Sequence, residues 1–95
     1  MKVNLNVALK SLDNTEVVQE GKPVMLSMLC SNALLSVEDK DGTTKMKCFS
    51  LASKIHASTD ELEITVEEAA FLKDIIGKSI YTPLVIGRVF EILEG

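Results

Sequence analysis

Histidine is almost absent from this chain: His56 is the single one in 95 residues, and there are only two cysteines, Cys30 and Cys48. Such scarcity excludes a multi-histidine metal centre, and the spacing of these three residues fits no zinc pattern. A Cys48–His56 catalytic pair is excluded as well. Eight residues of intact helix separate the two by about 12 Å of rise. A Cys30–His56 pair stays open but has nothing to support it. Cys30 and Cys48 could in principle pair with each other. The start Met1-Lys2 leads into alternating Val and Asn, with no apolar segment of the secretory kind. The expectation is therefore two reduced, buried thiols in a cytoplasmic protein. Tryptophan is missing, and the aromatics are Phe49, Phe71, Tyr81 and Phe90. That leaves little with which to stack nucleic-acid bases. No long hydrophobic run exists: Val24–Leu29 is broken by Ser27, too short for a membrane span. Positive charge is not in excess either. A net charge of −4 argues against non-specific attachment to nucleic acid or an anionic membrane.

What the chain has instead is aliphatic bulk. It is 46% hydrophobic, mostly Leu, Ile, Val, Met and Ala. A single domain of this size buries roughly 60–65% of its unfolded surface. Part of the apolar load should thus stay near the surface, where it commonly marks an interface. A homo-oligomer or a protein partner is the expectation.

The periodicity gives an α+β domain, with about four helices packed on a small two- or three-stranded sheet. Val3, Leu5, Val7 and Leu9 alternate with polar residues, as in a half-buried strand over 2–9. A turn-rich Ser11–Asn14 leads to a short return strand at 16–18. Pro23 suits a first helical position, which predicts a helix over 24–36. Its stripe is Leu26, Leu29, Cys30, Ala33 and Val37, and Met25, Met28 and Leu35 widen it. A helix apolar on so much of its circumference belongs in the centre of the fold or in an interface. Asp39-Lys40-Asp41-Gly42 reads as a turn. A helix over 44–56 follows, with Cys48, Leu51, Ala52 and Ile55 on its core face. Leu62 and Ile64 mark a strand over 61–64. Thr65 with Glu68 three residues on forms a capping box for the next helix, whose core residues are Ala69, Leu72 and Ile76 and whose end is Gly77. Thr82-Pro83 opens a final helix over 83–94, with Val85, Val89 and Leu93 spaced by four. A strand is the alternative there, given the β-branched residues and Gly87. Within a helix, Gly87 would suit the close approach of a neighbour.

Few motifs carry chemistry. Gly77-Lys78-Ser79 lacks the earlier glycine of a phosphate loop and follows a helix instead of preceding one. Asp39-x-Asp41-Gly42 lacks the register and closing glutamate of a calcium loop. Five acids, Asp60, Glu61, Glu63, Glu67 and Glu68, form an acidic edge best read as solvated. From Gly42 to Thr59 there is no acid, only Lys45, Lys47, Lys54 and His56. Lys47, Ser50 and Lys54 share one helix face, and with Lys45 they are the best candidates for binding an anion or nucleic acid. A solvated helix face is the plainer reading. The acidic edge beside the basic helix could steer a partner, or join protomers head to tail.

The segments "ELEITVEEAAFLKDIIGK" and "PLVIGRVFEILEG" resemble small proteins encoded in phage and prophage genomes. Those commonly show an acidic short strand, a Ser/Thr-x-Glu-Glu helix start and a final Pro-Leu-Val-x-Gly segment. The resemblance implies a viral or prophage origin and a non-enzymatic role, in host-protein binding or assembly. It carries over no site residues. The sequence thus points to a non-catalytic interaction module in which Met25, Met28 and Leu35 are the candidate interface, with no cofactor. The alternative is an anion or nucleic-acid binder using the basic helix 44–56.

Overall fold

The computed structural model describes residues 1–38 and 41–94. Along the chain run β1 (Lys2–Val3), β2 (Val18–Gln19), β3 (Lys22–Pro23), α1 (Leu26–Leu35), α2 (Gly42–Ala57), β4 (Leu62–Glu63), α3 (Val66–Gly77) and α4 (Pro83–Glu94). This is the α+β arrangement of four helices on minimal antiparallel β-structure. The strands divide into two pairs instead of forming one sheet. β1 pairs with β4 in the register Lys2 to Glu63, and β2 pairs with β3.

Alternation along 3–9 sets burial as the period of two requires: Val3, Leu5 and Leu9 are all in the core. The ladder itself is shorter than the predicted 2–9 strand. Beyond Val3 the chain leaves β4, and residues 7–9 are held by the segments on either side of the β2–β3 turn. Leu9 N donates to Val24 O, Leu26 N to Val7 O and Val17 N to Leu9 O, at 2.6, 2.9 and 2.8 Å.

Pro23 is the clearest departure from the sequence reading. It sits in β3 opposite Val18, and α1 begins three residues later with Met25 as an N-cap that offers no side-chain bond. The reason is the turn before it. Glu20 and Gly21 both have positive φ, 53° and 80°, which is the two-residue hairpin geometry that matches strand twist. That hairpin holds residues 22–23 extended. A proline is tolerated in so short an edge pair, where a missing donor does little harm.

α2 begins at Gly42, capped by Asp41, whose Oδ1 accepts from Thr43 N at 2.9 Å. Asp39 and Lys40, half of the predicted turn, lie outside the described residues. α3 begins with the complete capping box: Thr65 Oγ1 accepts from Glu68 N at 3.0 Å, and Glu68 Oε1 accepts from Thr65 N at 2.9 Å. Residues 83–94 are helical, so the spacing of Val85, Val89 and Leu93 prevails over β-propensity, and all three are buried. Gly87 serves no close approach: a Cβ added there would meet nothing within 4 Å.

One core joins every helix and β1 and β4, with Leu5, Leu34, Ile55, Ile64, Leu72, Ile76 and Val89 almost wholly enclosed. α1 and α2 form the principal helix pair, α3 packs on α1, and α4 packs on α3. Arg88 of α4 fastens the N-terminal segment. Its Nε donates to Lys10 O at 2.9 Å and its Nη2 to Ser11 O at 2.6 Å. The turn that starts there is organised by Asp13. Ser11 Oγ, Thr15 Oγ1 and Thr15 N all donate to its carboxylate, and these bonds, that from Ser11 foremost, hold its pKa down to about 2.

Candidate interaction surfaces

Two of the surfaces anticipated from sequence can be placed on α1, α2 and α3. The first is a groove of about 780 Å³ between α1 and α2. Met25, Met28 and Leu35 form its α1 wall, and Phe49, Ala52 and His56 form its α2 wall. The helical geometry explains the grouping. On α1, Leu26, Cys30, Ala33 and Leu34 face the core, which leaves Met28 and Leu35 on the far side at 60% and 61% exposure. On α2, the face Cys48, Leu51, Ala52 and Ile55 is buried, so Phe49, one position out of phase, is 57% exposed. Phe49 is not among the interface residues expected from sequence. The signal was available, since it falls off the core-face spacing of its own helix.

None of the thirteen residues lining this groove is Asp, Glu, Lys or Arg, although such residues make up 25% of the chain. At that frequency about three would be expected, so the lining carries less charge than the chain as a whole. Its polar lining is Asn, Ser and His56.

The second surface is the basic face of α2. Lys47 and Ser50 line a smaller hollow of about 530 Å³, opposite Glu67, Glu68 and Phe71 of α3. Lys54 Nζ is bound by Glu68, at 3.1 Å to Oε1 and 3.4 Å to Oε2. The acidic edge and the basic helix therefore meet within one chain, at least at this pair. Glu68 closes the capping box and bridges to α2 at once. Its pKa is lowered, first by the Thr65 backbone amide, with Lys54 adding to the effect against the opposing cost of desolvation. Lys45 and Lys47 are exposed and make no ion pair among the described residues.

Gly77-Lys78-Ser79 closes α3 instead of opening a helix. Lys78 Nζ is held by Asp74 at 3.2 Å, one turn back, at the end of α3. Cys30 is fully enclosed, and burial pushes its thiol up to about 12, so it keeps its proton at neutral pH. His56, by contrast, is exposed. Cys30 and Cys48 are both buried and are not joined in a disulfide. Among the described residues, no three His, Cys, Asp or Glu side chains are grouped to hold a metal ion, and no helix is long and apolar enough to cross a membrane. A third hollow, of about 650 Å³, lies between α1 and the end of α3 beside Tyr81, whose hydroxyl donates to Leu29 O at 3.0 Å.

No family model, curated protein or solved structure matches the chain.

Proposed function

We propose that this protein is a non-enzymatic protein-interaction module whose contact surface is the α1–α2 groove. One observation carries the reading: Met28, Leu35 and Phe49, each more than half exposed, converge on a groove without charged lining. Desolvating such a surface leaves no unpaired charge behind, so apolar contact can be gained there with little penalty. Methionine adds adaptable packing. The chain's other features suit this role. Two enclosed thiols outside any disulfide suit a reducing cytoplasm. The resemblance to small phage and prophage proteins belongs to the same reading, in which the partner is a host protein or another copy in an assembly.

The test compares tagged protein with a Met28→Asp/Phe49→Asp variant, after circular dichroism has verified that the variant is folded. Proteins retained by the original chain in a bacterial lysate should be lost from the variant. Equal retention by both would overturn the reading. Binding that weakens steeply with salt, and is abolished by Lys47→Glu/Lys54→Glu, would move the function to an anionic ligand or nucleic acid on α2. Lys45 and Lys47, exposed and outside every ion pair among the described residues, are what keep that alternative in view.

A further inference from the structure

We infer that the α1–α2 groove receives an amphipathic helix of a different protein, about three turns long, acidic at the end that meets Lys45 and basic at the other. The inference rests on the interaction reading above and states the chemistry of the partner.

The walls of the groove favour a helix. α1 and α2 run in opposite directions, as contacts at both of their ends show. At the start of α1, Leu26 N donates to Val7 O at 2.9 Å, and the neighbouring Asn6 Nδ2 donates to Thr59 O, just past the end of α2, at 2.7 Å. At the other end, Ser36 after α1 and Thr44 in the first turn of α2 line one hollow. The groove therefore has two distinct ends, with Met25 toward Ser58 and Leu35 toward Phe49. The rise from Met25 to Leu35 is about 15 Å, close to three helical turns. An extended segment laid between two helices finds no strand edge, so its amide groups gain no backbone partners. A helix satisfies its own.

The ends select by charge. The middle of the groove would accept any apolar face, but its two ends carry opposite signs. Lys45 lies one turn before Phe49 in the same stripe of α2, exposed and outside every ion pair among the described residues. At the far end Ser58 lines the groove, and its hydroxyl reaches the carbonyls of Asp60 and Glu61 at 3.4 and 3.3 Å. Those two exposed acidic residues thus stand where the groove closes. Between the ends neither wall supplies an acid: α1 has no charged residue, and the acids and bases of α2 are three lysines and His56. Lys54 is taken up by Glu68, and Lys47 lines the hollow beside α3. Lys45 is left as the lysine beside Phe49. An apolar helix with glutamates in its first turn and lysines in its last matches both ends, and the same distribution suits its own dipole.

The deciding experiment titrates the full chain into two fluorescein-labelled peptides of about 14 residues, followed by anisotropy. Both carry leucines at i, i+3, i+4 and i+7. One has glutamates in its first turn and lysines in its last; the other has lysines at both ends. The expected result is saturable one-to-one binding of the first, at least about fivefold tighter than the second, with the difference shrinking as salt rises. Long-range attraction to a chain of net charge −4 favours the all-lysine peptide, so the opposite preference reports the groove's own end. Lys45→Glu should abolish the preference with the circular dichroism unchanged, since an acid in the first turn of α2 suits that helix. Met28→Asp should weaken both peptides by at least about tenfold. No saturation up to about 1 mM overturns the inference, as does a preference that survives Lys45→Glu. A dimer in sedimentation that the first peptide cannot displace would put a second copy in the groove and overturn it too. Equal affinity for both peptides, lost on Met28→Asp, would remove the charge-matched occupant and leave the groove as the contact surface. Binding that withstands Met28→Asp would overturn both readings.

Discussion

Arg88 shows how much one side chain can hold without any sign in the sequence. It sits on α4, three-quarters shielded at 23% exposure, and its guanidinium spans two carbonyls nearly eighty residues earlier in the chain while Nη1 reaches Glu91 at 3.2 Å. A forked, planar donor suits two adjacent carbonyls in a way that an ammonium does not. We expect Arg88→Ala to lower stability by about 1.5–3 kcal/mol, and Arg88→Lys to restore less than half of the loss. Urea unfolding of the original chain and the two variants measures this. A midpoint for Arg88→Lys equal to that of the original chain would contradict the two-carbonyl account. Gly87, its neighbour, points the other way. It lies in mid-helix at an ordinary φ, and a methyl group there would meet open space. Gly87→Ala should therefore stabilise the protein by about 0.5–1 kcal/mol by restricting the unfolded chain. A lower melting temperature in that variant would show that the glycine has a role the packing does not reveal.

At the scale of elements, the start of α3 does the most with the fewest residues. Thr65 and Glu68 satisfy each other's backbone amides, and Glu68 also anchors Lys54 of α2. Thr65→Ala should cost about 1 kcal/mol. The folded-state pKa of Glu68 lies below its ordinary 4.5, so it stabilises the fold above that value and loses its contribution as pH falls through the lowered one. Glu68→Gln should flatten this part of the acid-unfolding curve, as measured by ellipticity against pH. An unchanged curve would assign the acid sensitivity elsewhere.

The capping box was legible in sequence because its signal is local: a threonine, a glutamate three residues on and an apolar run behind them. The helix faces of α2, α3 and α4 were legible for the same reason, since one period fixes each. The start of α1 was not. Pro23 suits a strand edge as well as a first helical turn, and what decides between them is the positive φ of Glu20. Asn-Gly would have advertised that turn; Glu-Gly does not. The groove was half legible. Met25, Met28 and Leu35 stand out in the sequence as excess on a helix apolar nearly all round. Which of them meets solvent depends on where α2 lands, a tertiary fact outside the pattern of α1. The spacing puts Lys54 off the core face of α2, but its partner fourteen residues away depends on how α2 and α3 lie against each other.

For the whole molecule, the helices and the β2–β3 hairpin arise from neighbours in sequence while the β1–β4 ladder does not. α1 and α2 can meet as consecutive elements, as can α3 and α4. The β1–β4 ladder joins Lys2 to Glu63, and Arg88 joins α4 to Lys10 and Ser11. Closing so long a loop carries an entropic penalty that is recovered only once both ends have something to dock on. That penalty predicts an order of assembly, with the helical body formed first and the leading ten residues docking afterwards. Val3→Ala should then hasten unfolding and leave the refolding rate nearly unchanged, the pattern of a contact formed after the barrier, which stopped-flow chevrons resolve. Slower refolding in that variant would put the leading strand inside the folding nucleus.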